Sequence, residues 1–293
     1  MKTSKTAGII LHPTSLPGSY GIGELGSSAF RFIDYLADAG ASHWQILPLS
    51  PTGYGNSPYS ARSTFAGNEL LISIEALIDQ ELVSPDIAAD MPAWDPGRVD
   101  FQQLIPWKMA KLSEAAQHYQ PDEQFIEFCR RESDWLDGYA LYMSLASDCG
   151  MGFNWYDQWD RDLALRSEQA LASWSEKCAE EIRRWKVLQY WFYIQWMGVK
   201  EYARISGISI IGDVPIFVAA DSVDTWEQRN LFKTDSKGRF SSQSGVPPDA
   251  FSDTGQLWGM PVYDWRGHRE ELFAWWTRRV QHTLELTDMI RID

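Results

Sequence analysis

Cysteine is scarce in this chain: Cys129, Cys149 and Cys178 are all it has in 293 residues. Three is an odd number, and their spacing fits no metal-ligand pattern. They therefore read as reduced thiols of a cytoplasmic protein rather than as a disulfide framework or a zinc site. Long hydrophobic runs are missing too, and no stretch approaches the roughly 20 apolar residues of a membrane span. The apolar run at 7–11, preceded by Lys2 and Lys5, is too short for a signal-peptide core, and Pro13 and Pro17 break the chain directly after it. Basic charge is in deficit, with 26 Lys and Arg against 40 Asp and Glu, a net of −14. That balance argues against nucleic-acid or anionic-membrane partners and is compatible with a neutral substrate. The five histidines are scattered without helical metal spacing, so no metal site is expected. A G-x-S-x-G elbow and a P-loop are also absent, which removes two common hydrolase and nucleotide-binding readings.

What the chain has in excess is tryptophan, fifteen in all. Indole rings fill cores, and they also stack on the C–H faces of pyranose sugars. Composition alone does not choose between the two. With 44% hydrophobic residues there is core material for one large domain or two modest ones.

The hydrophobic pattern suggests strands at 8–11 and 44–49 with an amphipathic helix at 27–39 between them. A βαβ unit is the natural reading of that order. A long aromatic-rich helix at 180–206 precedes an isoleucine strand at 208–213, and a helix at 270–286 precedes a strand at 288–293. Carboxylates stand at the ends of these later strands, where parallel barrels build their active sites. The stretch between the second and third strands is too long for a simple connection, so a mainly helical subdomain at 75–177 is expected. It would divide the barrel segments 1–74 and 178–293.

Gly21-Ile-Gly-Glu-Leu-Gly26 matches the dinucleotide fingerprint G-x-G-x-x-G in letters only. The first glycine does not follow a strand directly, and no acid ends the next strand, so a glycine-rich turn before a helix is the better account. Asp213 ends its strand either as a turn residue or as a carboxylate at a barrel mouth. Ser57-Pro-Tyr59 lies in a Gly/Pro loop, structural or substrate-binding. Residues 245–259 form a second such loop, with Asp249, Gln256 and Trp258 as potential sugar partners or as ordinary turn residues. In a strand, alternate side chains share a face, so Arg291 and Asp293 point the same way, a cation beside a carboxylate. That arrangement suits a carboxylate nucleophile.

Taken in order, these strings resemble the 4-α-glucanotransferases called amylomaltase or disproportionating enzyme. The match runs through Gly8-Ile-Ile-Leu-His-Pro-Thr-Ser-Leu-Pro-Gly18, Trp44-Gln-Ile-Leu-Pro-Leu49, Ser57-Pro-Tyr59 and Phe65-Ala-Gly-Asn68. It continues through Ile211-Gly-Asp-Val-Pro-Ile-Phe-Val-Ala219, the loop at 245–259 and Arg291-Ile-Asp293, and is looser at 75–177. The resemblance implies an α/β fold, a (β/α)8 TIM barrel with helical insertions, of which about the first four strands are present. It implies transfer of 1,4-α-glucan segments between maltooligosaccharides with anomeric retention and without a cofactor or catalytic metal. By the family pattern Asp293 is the nucleophile, held ionised by Arg291. Asp213 would bind hydroxyls of the sugar at the cleaved bond and Tyr59 would stack on that sugar. Ser57, Gln256 and Trp258 would line neighbouring sugar sites.

Three departures from the pattern stand out. Met260 replaces an asparagine, Glu69 a proline, and Asp160 a proline following the paired Trp155 and Trp159. The family's acid/base glutamate and third aspartate come after the nucleophile and are not in these residues. The expectation is therefore a truncated form, inactive and poorly folded alone. A non-catalytic glucan-binding module is the competing reading, and a dinucleotide-dependent oxidoreductase a distant third.

Overall fold

The computed structural model describes residues 6–235, 239–250 and 252–293. Lys2 and Lys5, and Phe251 of the second loop, lie outside the described residues. Four strands make a parallel sheet: β1 (Gly8–Ile10), β2 (His43–Gln45), β3 (Ser209–Val214) and β6 (Met289–Ile292), in the order β1-β2-β3-β6. The other pair, β4 (Gln243–Val246) and β5 (Gln256–Pro261), is an antiparallel hairpin. The segment expected as a second loop is thus partly strand. Its Pro247-Pro248 and Gly255 hide the period-2 signal by which a strand is recognised.

Strand β2 is only three residues long. β2 ends at Gln45, yet the chain stays extended: the Ile46 N–H still donates to Ile211 O at 2.9 Å. Pro48 has no N–H to offer a ladder, which is why the strand signal at 44–49 outruns the strand. Register then fixes the two faces. Ile9, Trp44 and Ile210 pair across the sheet, and Trp44 and Ile210 are fully buried. The helices Ser27–Asp38, Ala179–Ile205 and Arg269–Leu286 supply that cover. The next row, Ile10, Gln45, Ile211 and Met289, faces away; Ile10 is 62% and Met289 40% exposed. The architecture is α/β, a parallel sheet with helices on one face.

Between β2 and β3 the chain is mostly helical. Phe101–His118 starts at Asp100, whose carboxylate accepts from the Gln102 and Gln103 amides. Glu123–Arg131 and Ser133–Met143 come next and pass through a π-helical turn, Ser144–Asp148. The 27-residue helix Ala179–Ile205 runs through this layer and buries Trp185, Trp191 and Trp196. Trp155 and Trp226 are likewise buried, so many of the tryptophans are core.

The glycine string at 21–26 is a packing device. A Cβ on Gly23 would sit 1.9 Å from Pro13 O, so only glycine lets the backbone lie on the turn Pro13–Ser15. Gly26 is the N-cap of Ser27–Asp38.

Candidate active site

Strand β3 ends at Asp213-Val214, and register sets Asp213 opposite Arg291 and Val214 opposite Ile292. The ladder extends one step further, with the Asp293 N–H on Val214 O at 2.9 Å and the Ile216 N–H on Asp293 O at 2.6 Å. Period 2 then puts Asp213, Arg291 and Asp293 on the open face of the sheet, at the C-terminal ends of its strands. The side chains converge. Arg291 donates from Nε to Asp213 Oδ1 at 3.1 Å and from a terminal nitrogen to Asp213 Oδ2 at 3.0 Å, a bidentate pair. The same terminal nitrogen reaches Asp293 Oδ2 at 2.5 Å and the Tyr59 hydroxyl at 3.3 Å. Tyr59 donates its hydroxyl proton to Asp213 Oδ2 at 2.8 Å.

Exposure separates the two carboxylates. The Asp213 side chain is fully buried beneath Tyr59 and Arg291, whereas that of Asp293 is 49% exposed. Asp213 receives three donors on two oxygens and is committed as an acceptor. Asp293 is the carboxylate with an open side. Burial first, then the hydrogen bond to Asp213, pushes the Tyr59 phenol up to about 12. The bond to Asp213 and the two nearby carboxylates hold the Arg291 guanidinium above its ordinary range.

Tyr59 arrives on a loop closed by its own backbone. Gly53 N–H donates to Ser60 O at 2.6 Å and Arg62 N–H to Pro51 O at 2.9 Å. Ser57 Oγ accepts the Tyr59 N–H at 3.3 Å, so Ser57 shapes the turn that aims the ring. Arg62 anchors the loop by pairing with Asp221 and lying 3.8 Å over the Phe153 ring. Gln256 and Trp258 lie two apart on β5 and therefore share a face; Trp258 Nε1 donates to Gln256 Oε1 at 3.1 Å. Both are exposed and outside the hydrogen-bonded network. Trp258 connects to it through Phe217, 6.5 Å away between centroids, which borders the same pocket as Asp213. Asp249 accepts the Ser252 N–H at 2.9 Å and shapes the hairpin turn.

The pocket behind Asp213 holds about 50 Å³, lined by Leu47, Tyr59 and Phe217 among others. Sequence reasoning passed over the residues that brace this pocket. Arg279 is buried, donates to Pro215 O at 2.6 Å and lies 4.7 Å over the Trp276 ring. His282 Nε2 bonds Phe65 O at 2.8 Å. Their signal was available: a charge and a histidine on the helical face that also carries Trp275. His12, just past β1, is pushed down to about 4 by burial and is held neutral. Among the described residues no group of three His, Cys, Asp or Glu could hold a metal, and no helix is long and apolar enough to cross a membrane.

The 4-alpha-glucanotransferase family model matches residues 11–293. The 4-alpha-glucanotransferase of Synechocystis sp. is 44% identical over 300 residues, covering 100% of this chain and 59% of that protein. That of Thermus thermophilus is 43% identical, with the same coverage. Amylomaltase from Streptococcus agalactiae in complex with acarbose superposes with a TM-score of 0.93 at 39% identity, over 99% of this chain and 59% of that one. Amylomaltase from Corynebacterium glutamicum, at 19% identity and a TM-score of 0.75, shares the fold over 98% of this chain and 40% of its own. The chain spans about 59% of the length of the curated relatives it matches. With a family match over nearly all its residues and relatives above 40% identity from end to end, the chain belongs to the 4-alpha-glucanotransferase family.

Proposed function

We propose that Tyr59, Asp213, Arg291 and Asp293 form the nucleophile side of a glucan-transfer site. It would move 1,4-α-glucan segments between maltooligosaccharides by a retaining double displacement. The observation that carries this reading is Asp293, a half-exposed carboxylate at a strand end, bound on one side by Arg291 and open on the other. In a retaining reaction such a carboxylate attacks the anomeric carbon and forms a glycosyl ester, which an acceptor hydroxyl then releases. Arg291 holds the attacking carboxylate by a hydrogen bond and aims it. Asp213, with three donors on its two oxygens, would offer its remaining acceptor site to a sugar hydroxyl. The Tyr59 ring would stack on the sugar at the cleaved bond, and Ser57, Gln256 and Trp258 would line neighbouring sugar positions. The acarbose bound to the Streptococcus agalactiae relative supports a maltooligosaccharide-like ligand.

The four parallel strands would be the first of a (β/α)8 barrel, with 75–177 as its helical insertion. Active groups at the C-terminal strand ends support that placement. The retaining step also needs a carboxylic acid about 5–5.5 Å from the nucleophile to protonate the leaving group. Asp213 does not suit that role, so no residue of the network is assigned as the acid.

A substrate that needs no acid separates the two halves of the chemistry. α-Maltotriosyl fluoride requires no protonation of its leaving group, so Asp293 alone should displace fluoride. Intact-protein mass spectrometry of the 293-residue chain should find a maltotriosyl ester, mapped to Asp293 and lost in Asp293→Asn. Maltotriose itself should give no glucose. Binding of maltodextrin with no adduct from the fluoride would sink the transferase reading and favour a glucan-binding module.

A further inference from the structure

Cys149 and Cys178, far apart in sequence, meet in space: their Sγ atoms lie 3.0 Å apart. Both are held by their backbones. The Cys149 N–H donates to Ser144 O at 2.9 Å, closing the π-helical turn Ser144–Asp148. Cys178 is the joint between the helices Glu168–Lys177 and Ala179–Ile205. Its N–H donates to Trp174 O and its carbonyl accepts from Ile182, each at 2.9 Å. A second attachment keeps the sulfurs in register. Asp148, next to Cys149, accepts from Trp185 Nε1 at 2.8 Å and pairs with Arg184, both on the helix that Cys178 begins. Cys149 is exposed, Cys178 buried, and Cys129 lies on another helix, Glu123–Arg131.

We propose that Cys149 and Cys178 form a redox modification site that a hydroperoxide converts to an intramolecular disulfide. The exposed Cys149, as thiolate, attacks one peroxide oxygen. An S–O bond forms, the O–O bond breaks, hydroxide leaves, and Cys149 becomes a sulfenic acid, oxidised by two electrons. The Cys178 sulfur then attacks Cys149. The S–S bond forms, the S–O bond breaks, and hydroxide leaves with the Cys178 proton as water. Two thiols and one hydrogen peroxide thus give one disulfide and two waters. A low-molecular-weight thiol reverses it by exchange. Burial, with the adjacent Cys149 sulfur, pushes the Cys178 thiol upward, which leaves first attack to Cys149 and resolution to Cys178.

The bond would tie both ends of the segment 150–177. That segment braces the loop after β3: Trp155 Nε1 donates to Ala220 O at 3.1 Å, and Leu163 O accepts from Trp226 Nε1 at 3.1 Å. Oxidation is therefore expected to slow amide exchange across 150–177.

The test treats the 293-residue chain with one equivalent of hydrogen peroxide, alkylates the remaining thiols and maps the peptides. Alkylatable thiols should fall from three to one, with Cys129 left and Cys149 linked to Cys178. Cys129→Ser should not change the linkage. Cys178→Ser should leave a dimedone-trappable sulfenic acid on Cys149, and Cys149→Ser should leave none. The same chain in urea should give mixed pairings that include Cys129. Three thiols persisting under native conditions, native linkages through Cys129, or equal trapping at Cys178 in Cys149→Ser would each overturn the proposal.

Discussion

Arg291 divides its donors between two carboxylates and a phenol, and the geometry of a guanidinium is what allows it. Its Nε and one terminal nitrogen grip Asp213, while that terminal nitrogen also reaches Asp293. A lysine offers a point charge without the planar fork. Arg291→Lys is therefore expected to slow ester formation from the maltotriosyl fluoride roughly 100-fold, with an unchanged circular dichroism spectrum. Tyr59→Phe is a milder change. It keeps the ring and removes one of three donors to Asp213, a loss of about 1 kcal/mol and about fivefold in rate. Because the Tyr59 phenol is pushed up to about 12, the rate in wild type should show no inflection from it between pH 6 and about 10. Part of this was legible beforehand. Arg291 and Asp293 share a face by backbone period alone. That the bidentate grip goes to Asp213 was not legible, because strand register across 78 positions is not written in either segment.

At the scale of elements, the 3-10 turn Glu69–Leu71 carries a buried carboxylate. Glu69 Oε1 accepts from Gln189 Nε2 at 2.7 Å and from the Tyr139 hydroxyl, groups on the helices Ala179–Ile205 and Ser133–Met143. Burial outweighs these bonds and raises its pKa from the ordinary 4.5 to about 7. The folded state therefore holds this proton more tightly than the unfolded chain. The stability Glu69 contributes is fully present below pH 4.5 and is lost as pH rises to about 7. Glu69→Gln keeps an acceptor and cannot ionise. Denaturation midpoints should agree with wild type below pH 4.5, and the variant should gain about 3 kcal/mol at pH 8. A variant less stable at pH 8 would contradict this. Sequence comparison marked Glu69 as a departure from a family proline, but only the packed helices reveal that its carboxyl is buried. Gly67, two residues earlier, shows the same dependence: a Cβ there would lie 2.0 Å from Phe192 Cδ1. Gly67→Ala should cost at least 1–3 kcal/mol in denaturant titrations.

For the whole molecule, β1 and β6 are the sheet's two edges, and each presents unpaired backbone within the described residues. Ile10 and Ile292 on these strands are 62% and 58% exposed. Exposed apolar edges recruit other strands. Sedimentation of the 293-residue chain should show concentration-dependent self-association, reduced by Ile10→Lys. A monomer at all concentrations would show that these edges do not recruit a second copy.

Sequence by itself determined the local features. Period-2 alternation set the shared face of Arg291 and Asp293, and period-3.6 patterns marked the three helices that cover the sheet. These are consequences of backbone geometry within a few residues, so a single segment contains them. Tertiary structure alone decided which segments meet: Tyr59 on Asp213, Asp213 on Arg291, Cys149 on Cys178, Glu69 beneath Tyr139 and Gln189. It also turned the loop at 245–259 into a hairpin. Such meetings depend on which apolar faces bury against each other, and that is a property of the whole packed chain rather than of any stretch of it.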